Sequence, residues 1–186
     1  MQGDFTRFTH DPAKRFVGVL RQQGRLDLDA DSNENLFIRE RLARITRMDV
    51  IGQNGAPETG GGFTIGVTPD GQDLTISAGR MYVDGILCEL DAAATYTNQP
   101  HWLEPDALTD GDDNVDGRRD LVFIDVWHRH VSADEDPELL DPALNGLDTT
   151  TRLQTVWQVR VLKNTGDGVC GAIAIFPPAA PTGTLT

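Results

Sequence analysis

The residues best suited to metal chemistry are two histidines in a long apolar run of the sequence. His128 and His130 are two positions apart, so in a β-strand both side chains project from the same face. With a carboxylate from the acidic run 134–136 they could bind zinc or another transition metal. Trp127 and Arg129 alternate with them, however, and that mixture is more typical of a partly exposed polar strand. We therefore expect a polar strand edge here.

A second candidate site is an acidic turn with oxygen ligands at the spacing that calcium uses. Asp112, Asn114 and Asp116 fit a D-x-N-x-D-G pattern, in which the glycine allows a sharp turn. The twelfth position of a full EF-hand loop would be a bidentate glutamate, and here it is Phe123. The pattern predicts at most a shortened calcium turn completed by Asp120, with a solvated acidic loop as the alternative. No other cofactor is expected.

Signatures of covalent catalysis and of nucleotide binding are missing from the sequence. There are three serines, and none lies in a G-x-S-x-G elbow; P-loop, H-E-x-x-H and Rossmann patterns are also missing. Cys88 and Cys170 are single, distant thiols with no C-x-x-C partner, so we expect buried thiols, not a zinc cluster or a disulfide scaffold. These observations favour a protein that is not an enzyme.

The charge of the chain disfavours nucleic acid as a partner. Asp and Glu number 29 against 16 Lys and Arg, giving a formal net charge of −13, whereas phosphate binding depends on basic side chains. Residues 1–50 hold nine of the bases and eight of the acids, so the remaining chain is strongly acidic. No apolar run suits a membrane span or a secretory signal, so we expect synthesis in the cytoplasm without a signal peptide and no membrane insertion.

The elements that must position these residues begin with an N-terminal arm. Up to residue 30 the sequence mixes isolated aromatics, arginine and glycine without a sustained helical or strand period, which predicts an extended segment. So short an arm cannot bury Phe5, Phe8 and Phe16 against itself. We expect these rings to pack on the body of the protein or on a neighbouring subunit.

One amphipathic helix is predicted from Asp31 to Met48. Asp31 and Glu34 fit a variant of the capping box, and Gly52 would end the helix. At 100° per residue an apolar stripe forms, and the arginines fall mostly on the rest of the circumference. The stripe consists of Phe37, Ile38, Leu42, Ile45 and Met48.

A glycine-rich linker then leads into short strand-like runs separated by turn residues, which predicts an antiparallel β body. Asp84-Gly85 is a hairpin signal. The longest strands are expected at 121–131, with Asp125 as a buried acid in a central strand, and at 152–162. The fold class expected is mainly β with an N-terminal arm and one helix, the body being an antiparallel sandwich or barrel-like. The domains expected are 1–52 for arm and helix, 60–176 for the β domain and 177–186 for a proline-rich exit.

Several sequence blocks, in order, resemble a domain family encoded in phage-tail-like extracellular contractile injection system clusters. The blocks are GDFTR at 3–7, QQGR with DADSNE at 22–34, YVDGILCE at 82–89, DVWHRHV at 125–131 and ALNGLDTTTRLQTVWQVRVL at 143–162. Members of that family have a GDFSR-like element followed by QQGR and DAD-x-NE. Ser32 departs from the pattern where an aromatic residue is expected, and an acidic insert lies around 110–120.

The resemblance implies a non-enzymatic structural or assembly component of a contractile injection system or phage tail-like particle, associated with the baseplate or tail tip. Its partners would be copies of itself and other baseplate or tail-tip proteins. The residues expected at the contacts are Phe5, Arg7, Phe8, Gln22, Gln23, Arg25 and Asp31. Packing within the chain is the alternative for each of them. The alternative function is a receptor- or carbohydrate-binding module, calcium-dependent in one version, with its site in the acidic loops 110–148.

Overall fold

The computed structural model describes residues 3–108 and 120–163, which contain one α-helix, ten short or long strands and an N-terminal segment that lies across them. Helix α1 is Asp29–Ile51. The strands are β1 (Asn54–Gly55), β2 (Ile65–Val67), β3 (Leu74–Ile76), β4 (Gly79–Val83), β5 (Ile86–Leu90), β6 (Ala94–Thr95), β7 (Leu121–Val131), β8 (Leu140–Asp141), β9 (Leu147–Asp148) and β10 (Arg152–Leu162). No helix in these ranges has the length and apolar character needed to cross a membrane.

The strands form four antiparallel sheets, in the orders β1-β4-β5, β2-β3-β6, β7-β10 and β8-β9. The predicted hairpin at Asp84-Gly85 joins β4 to β5. Both residues are left-handed, with φ of 50° and 73°, as a turn that follows the twist of a hairpin requires. The predicted fold class is confirmed. None of the described sheets closes on itself, which is consistent with a sandwich.

The core lies where one face of β10 packs on the smaller sheets. Trp157 donates its Nε1–H to the Glu89 carbonyl over 3.1 Å, and its ring meets Phe63 edge-on at 4.9 Å between centroids. The buried cluster comprises Phe63, Ile76, Cys88, Leu90, Tyr96, Trp157 and Val159. Val156 is only 2% exposed, and Trp157 and Val159, on the other face of β10, are buried to the same extent. Leu153, on the same face, is 43% exposed because it lies at the end of β10 beside an open groove.

The prediction that Asp125 is a buried acid in a central strand is wrong. Within the described residues β7 pairs only with β10, in register from Leu121–Leu162 to Val131–Arg152, so one face of this ribbon meets solvent. The Asp125 side chain is half-exposed, and its Oδ2 lies 3.9 Å from Nη1 of Arg160. A solvated acid with a cation nearby therefore replaces the expected buried one.

Helix α1 begins two residues earlier than predicted, and its first turn differs from the predicted capping box. The N-cap is Leu28, which makes no side-chain cap bond, and Asp31 lies inside the first turn. The carboxylate of Glu34 instead accepts a hydrogen bond from the hydroxyl of Thr9. The helix runs three residues beyond the predicted Met48, to Ile51, and Gly52 ends it as predicted, since its N–H donates to the Met48 carbonyl.

The predicted apolar stripe of α1 is only partly in contact with the body. Ile38 is buried, but Leu42 and Ile45 are 36% and 40% exposed. Arg44 and Arg47 point to the body instead, where they bind the β4–β5 turn. Hydrogen bonds from arginines thus hold much of the helix in place, which the helical wheel alone does not reveal.

Candidate functional site

The first half of the arm, residues 3–10, is here called the proximal arm, and its two phenylalanines pack on two different elements. The Phe5 ring lies 5.8 Å from the ring of His130 on β7 and 5.4 Å from the ring of Phe8. Phe8 in turn lies 6.0 Å from Phe37 on α1, and His10 stacks on Phe37 at 6.2 Å. The proximal arm therefore bridges the helix and the β7–β10 ribbon through aromatic contacts.

Two threonines of the proximal arm bind carboxylates of α1. The backbone N–H and hydroxyl of Thr6 donate to the two carboxylate oxygens of Asp29 over 2.9 and 2.5 Å. The hydroxyl of Thr9 donates to Oε2 of Glu34 over 2.5 Å. The hydrogen bond from the Thr6 hydroxyl is the largest cause that lowers the pKa of Asp29, so the contact favours the ionised carboxylate.

A groove of about 490 Å³ lies between the proximal arm, α1, β5 and the ribbon. Its wall is mostly apolar, with a polar rim from Glu40, Arg47 and Arg152. His128 and His130 both line it, which confirms that they share one face of their strand. Burial lowers the pKa of His130, so the neutral imidazole is favoured under the arm. The groove suits an apolar side chain more than a charged ligand.

Helix α1 forms one wall of the groove, and the β4–β5 turn fixes its position. The Arg44 Nε–H donates to the Asp84 carbonyl over 2.7 Å, and its guanidinium pairs with the Asp84 carboxylate. Arg47 donates to the carbonyl of Gly85 over 2.5 Å. A Cβ at Gly85 would lie 2.6 Å from the Arg44 carbonyl oxygen, so the turn approaches the helix backbone closely.

The second half of the arm, residues 11–28, is here called the distal arm, and it is largely exposed. A 3-10 turn at Pro12–Lys14 is capped by Asp11, and Arg21 pairs with Asp27 over 2.6 Å. No residue of its 3-10 turn is buried. The large apolar side chains that the distal arm leaves exposed by more than half are Phe16, Val17, Leu20 and Leu26.

The structure divides the predicted contact residues between these two parts of the arm. Phe5 and Phe8 line the groove and pack within the chain. Arg7 is exposed on the proximal arm, and Asp31 is half-buried in the first turn of α1. Gln22, Gln23 and Arg25 are exposed in a turn of the distal arm.

The structure describes only some of the residues that the sequence suggests as metal ligands, and those do not form a metal site. Residues 3–108 and 120–163 contain no group of three or more His, Cys, Asp or Glu side chains placed to hold a metal ion. Glu135, a carboxylate of the acidic run beside the histidines, instead pairs with Arg129 over 2.5 Å. Asp120 is exposed immediately before β7. The other residues of the predicted calcium turn, Asp112, Asn114 and Asp116, lie outside the described residues, as does Cys170.

Two aspartates of the acidic loop after β7 have structural partners. Asp136 accepts a hydrogen bond from the Glu138 N–H and caps the 3-10 turn Pro137–Leu139. Asp141 does the same for Pro142–Leu144. These two acids therefore stabilise local chain reversals.

Comparison with known protein families finds one match, which covers most of the chain. A family model described as a family of unknown function, DUF6519, matches residues 1–169. The chain belongs to DUF6519. No curated protein and no solved structure matches the sequence. The matched range contains every sequence block on which the resemblance rests, but the family description names no particle.

In this DUF6519 member, sequence reasoning missed Thr6 and Thr9 as the residues that hold the proximal arm. The signal was present as a repeated Phe-Thr dipeptide, Phe5-Thr6 and Phe8-Thr9. In each dipeptide the ring packs on an aromatic side chain and the threonine binds a carboxylate of α1. The carboxylates could not be paired with the threonines from spacing, because they lie more than twenty residues further along the chain.

Proposed function

We propose that this DUF6519 protein is a non-enzymatic assembly component of a phage-tail-like contractile injection particle, placed at the baseplate or tail tip, with its N-terminal arm as the docking element. The observation that carries the proposal is the exposure of apolar side chains along the distal arm. Synthesis without a signal peptide, followed by incorporation into a particle that is released, is part of the same proposal.

The distal arm exposes large apolar side chains over a short stretch of chain. Phe16 is 51% exposed, Val17 77%, Leu20 92% and Leu26 89%. Single exposed apolar residues are ordinary on soluble proteins, whereas a concentration of them is typical of a surface that a partner covers. The proximal arm meanwhile packs on α1 and β7, so the distal arm is held beside the body in a position where a partner could cover it.

Charge supports the same proposal. The distal arm contains Lys14, Arg15, Arg21 and Arg25 against two acids, whereas the sequence beyond residue 50 has three times as many acids as bases. A basic arm and an acidic body would attract one another between neighbouring subunits and help to set their register. Together with the sequence blocks that resemble injection-system proteins, this favours lateral contact in a particle over binding of nucleic acid.

The test is incorporation of a distal-arm variant into particles. Phe16→Ser, Leu20→Ser and Leu26→Ser would be combined in the full chain and expressed with the remaining components of the particle. We expect at least a tenfold loss of the variant from sedimented particles, because the exposed apolar contacts would be removed without touching the groove or the core. The purified variant should unfold at the same urea concentration as the wild type.

A matched control uses equally exposed apolar residues outside the arm. Val50→Ser, Val67→Ser and Leu103→Ser change side chains that are 80%, 66% and 97% exposed. Incorporation within twofold of the wild type is expected for this triple variant. Normal incorporation of the distal-arm variant, or absence of the wild-type protein from sedimented particles, would overturn the proposal.

A further inference from the structure

We propose that the groove between α1 and the β7–β10 ribbon is a socket for the proximal arm of a second copy of this chain, so that neighbouring subunits exchange arms. The inference rests on the proposed function, since it names the partner of the arm in the assembly. The occupant follows from the contacts that residues 3–10 make in the structure, because the same groove in another copy offers the same partners.

The contacts that hold the proximal arm are specific but lie at the surface. Phe5 and Phe8 meet rings of His130 and Phe37, and Phe8 remains 39% exposed. The two threonine hydrogen bonds are made to side chains at the start of α1 and cross no strand pairing. The arm can therefore leave its groove without opening the core. Exchange would regenerate every one of these contacts between chains, which makes it a low-cost route to assembly.

The distal arm gives the proximal arm the reach that exchange requires. Its 18 residues, from Asp11 to Leu28, could span about 60 Å when extended, at about 3.3 Å per residue. Neither its 3-10 turn nor its Arg21–Asp27 ion pair ties it to the body, because the partners of both contacts lie within the distal arm. A segment that crosses between subunits would pass along the acidic body of the neighbour, where its basic side chains and exposed apolar residues would gain further contacts.

Mass action decides when exchange occurs. A flexible tether of this length holds the arm near its own groove at an effective concentration of the order of millimolar. A dilute monomer is therefore expected to dock its own arm, and exchange should dominate when subunits are at about millimolar local concentration, as they are when fixed side by side on a particle. The difference between the two arrangements is which chain supplies residues 3–10.

The experiment is cross-linking between two pools of the full chain, each with one engineered cysteine. A Cβ at Gly3 would lie 3.4 Å from the Thr151 side chain, and Asp4 is the next residue of the arm. Asp4→Cys in one pool and Thr151→Cys in the other can therefore be linked only between two chains. Cys88 is buried, and Cys170→Ser in both pools removes the other natural thiol. The pools would be mixed at about 10 μM and about 1 mM and treated with a short bis-maleimide.

A covalent dimer of the two pools is expected to increase at least fivefold in yield between the two concentrations. Combining Asp4→Cys with Gln72→Cys, in an exposed turn, measures random collision. Adding Phe5→Ala and Phe8→Ala to the Asp4→Cys chain should abolish the specific dimer. The inference is overturned if the yield never exceeds that of the Gln72→Cys pair, or if it survives loss of both rings. If the inference fails while the distal-arm variant is still lost from particles, the proposed function stands and the arm docks on another component.

Discussion

Gln99 and Val159 are joined by a reciprocal pair of hydrogen bonds between a side-chain amide and the backbone of β10. The Val159 N–H donates to Gln99 Oε1 over 2.7 Å, and Gln99 Nε2 donates to the Val159 carbonyl over 2.8 Å. The same Nε2 also donates to the Tyr96 carbonyl over 2.9 Å. Gln99 is 5% exposed. Its amide thus acts toward Val159 as the backbone of a neighbouring strand would.

Replacing Gln99 should be costly because its partners are buried. Gln99→Leu keeps the approximate volume but leaves the N–H and carbonyl of Val159 and the carbonyl of Tyr96 without this partner. Each buried polar group left unsatisfied costs about 1–3 kcal/mol. We expect the free energy of unfolding to fall by at least about 2 kcal/mol, measured by urea unfolding followed by tryptophan fluorescence.

Gln154→Leu is the matched control, since Gln154 is an exposed residue of the same strand whose Oε1 accepts from Arg129. A change within about 0.5 kcal/mol is expected there, as for most surface substitutions. Equal losses of unfolding free energy in the two variants would show that the buried hydrogen bonds of Gln99 contribute no more to stability than the exposed one of Gln154.

The close approach of the β4–β5 turn to α1 predicts different costs for two glycines with nearly the same backbone conformation. Gly71 and Gly85 have φ of 72° and 73°, but only at Gly85 would a Cβ meet backbone, 2.6 Å from the Arg44 carbonyl oxygen. Gly71→Ala should cost about 1–2 kcal/mol from the left-handed conformation alone. Gly85→Ala should cost clearly more, because the helix must also shift. Equal urea midpoints for the two variants would contradict this account.

Much of the β body follows from the sequence because turn residues and alternation are local. Asp84-Gly85 identifies its hairpin, and alternation along β10 indicates that Trp157 and Val159 are buried. The position of α1 on the body cannot be predicted in this way, because it depends on a hydrogen bond from Arg44 to a turn forty residues away. The prediction for Asp125 is wrong for a related reason. Its apolar neighbours in the sequence suggest a central strand, but which strands pair in a sheet depends on the whole chain.

The contacts of the candidate site can be predicted from the sequence only in part, for the same reason. Phe5 and Phe8 could be selected as arm residues that need a partner, yet which partner they find depends on the position of α1 relative to β7. The threonine that follows each ring cannot be selected in this way, because a hydroxyl gives no periodic signal. Pairing Thr6 with Asp29 requires knowing that the arm folds back along the first turn of the helix.

Cys88 should be unreactive in the folded protein. It is 0% exposed in the core, and burial raises the pKa of its thiol to about 11. The thiolate is the reactive form, so at pH 8 both the charge state and access oppose modification. With Cys170→Ser in place, we expect iodoacetamide to leave the native chain unlabelled after an hour and to label it fully in urea, as measured by mass spectrometry. Fast labelling without denaturant would mean that the core around Cys88 opens readily.

The histidines predict how stability changes between neutral and mildly acidic pH. Burial lowers the pKa of His130, and burial together with the nearby charge of Arg129 lowers the pKa of His101, each from an ordinary value of 6.5. Because the unfolded chain then binds protons more readily than the folded one, stability is complete above about pH 6.5 and is lost as the pH falls below it. We expect the urea midpoint to decline from pH 7 to pH 5, where most carboxylates are still ionised. The change of the urea midpoint with pH should be smaller in His130→Asn and smaller again when His101→Asn is added. An unchanged pH dependence in the double variant would refute this origin.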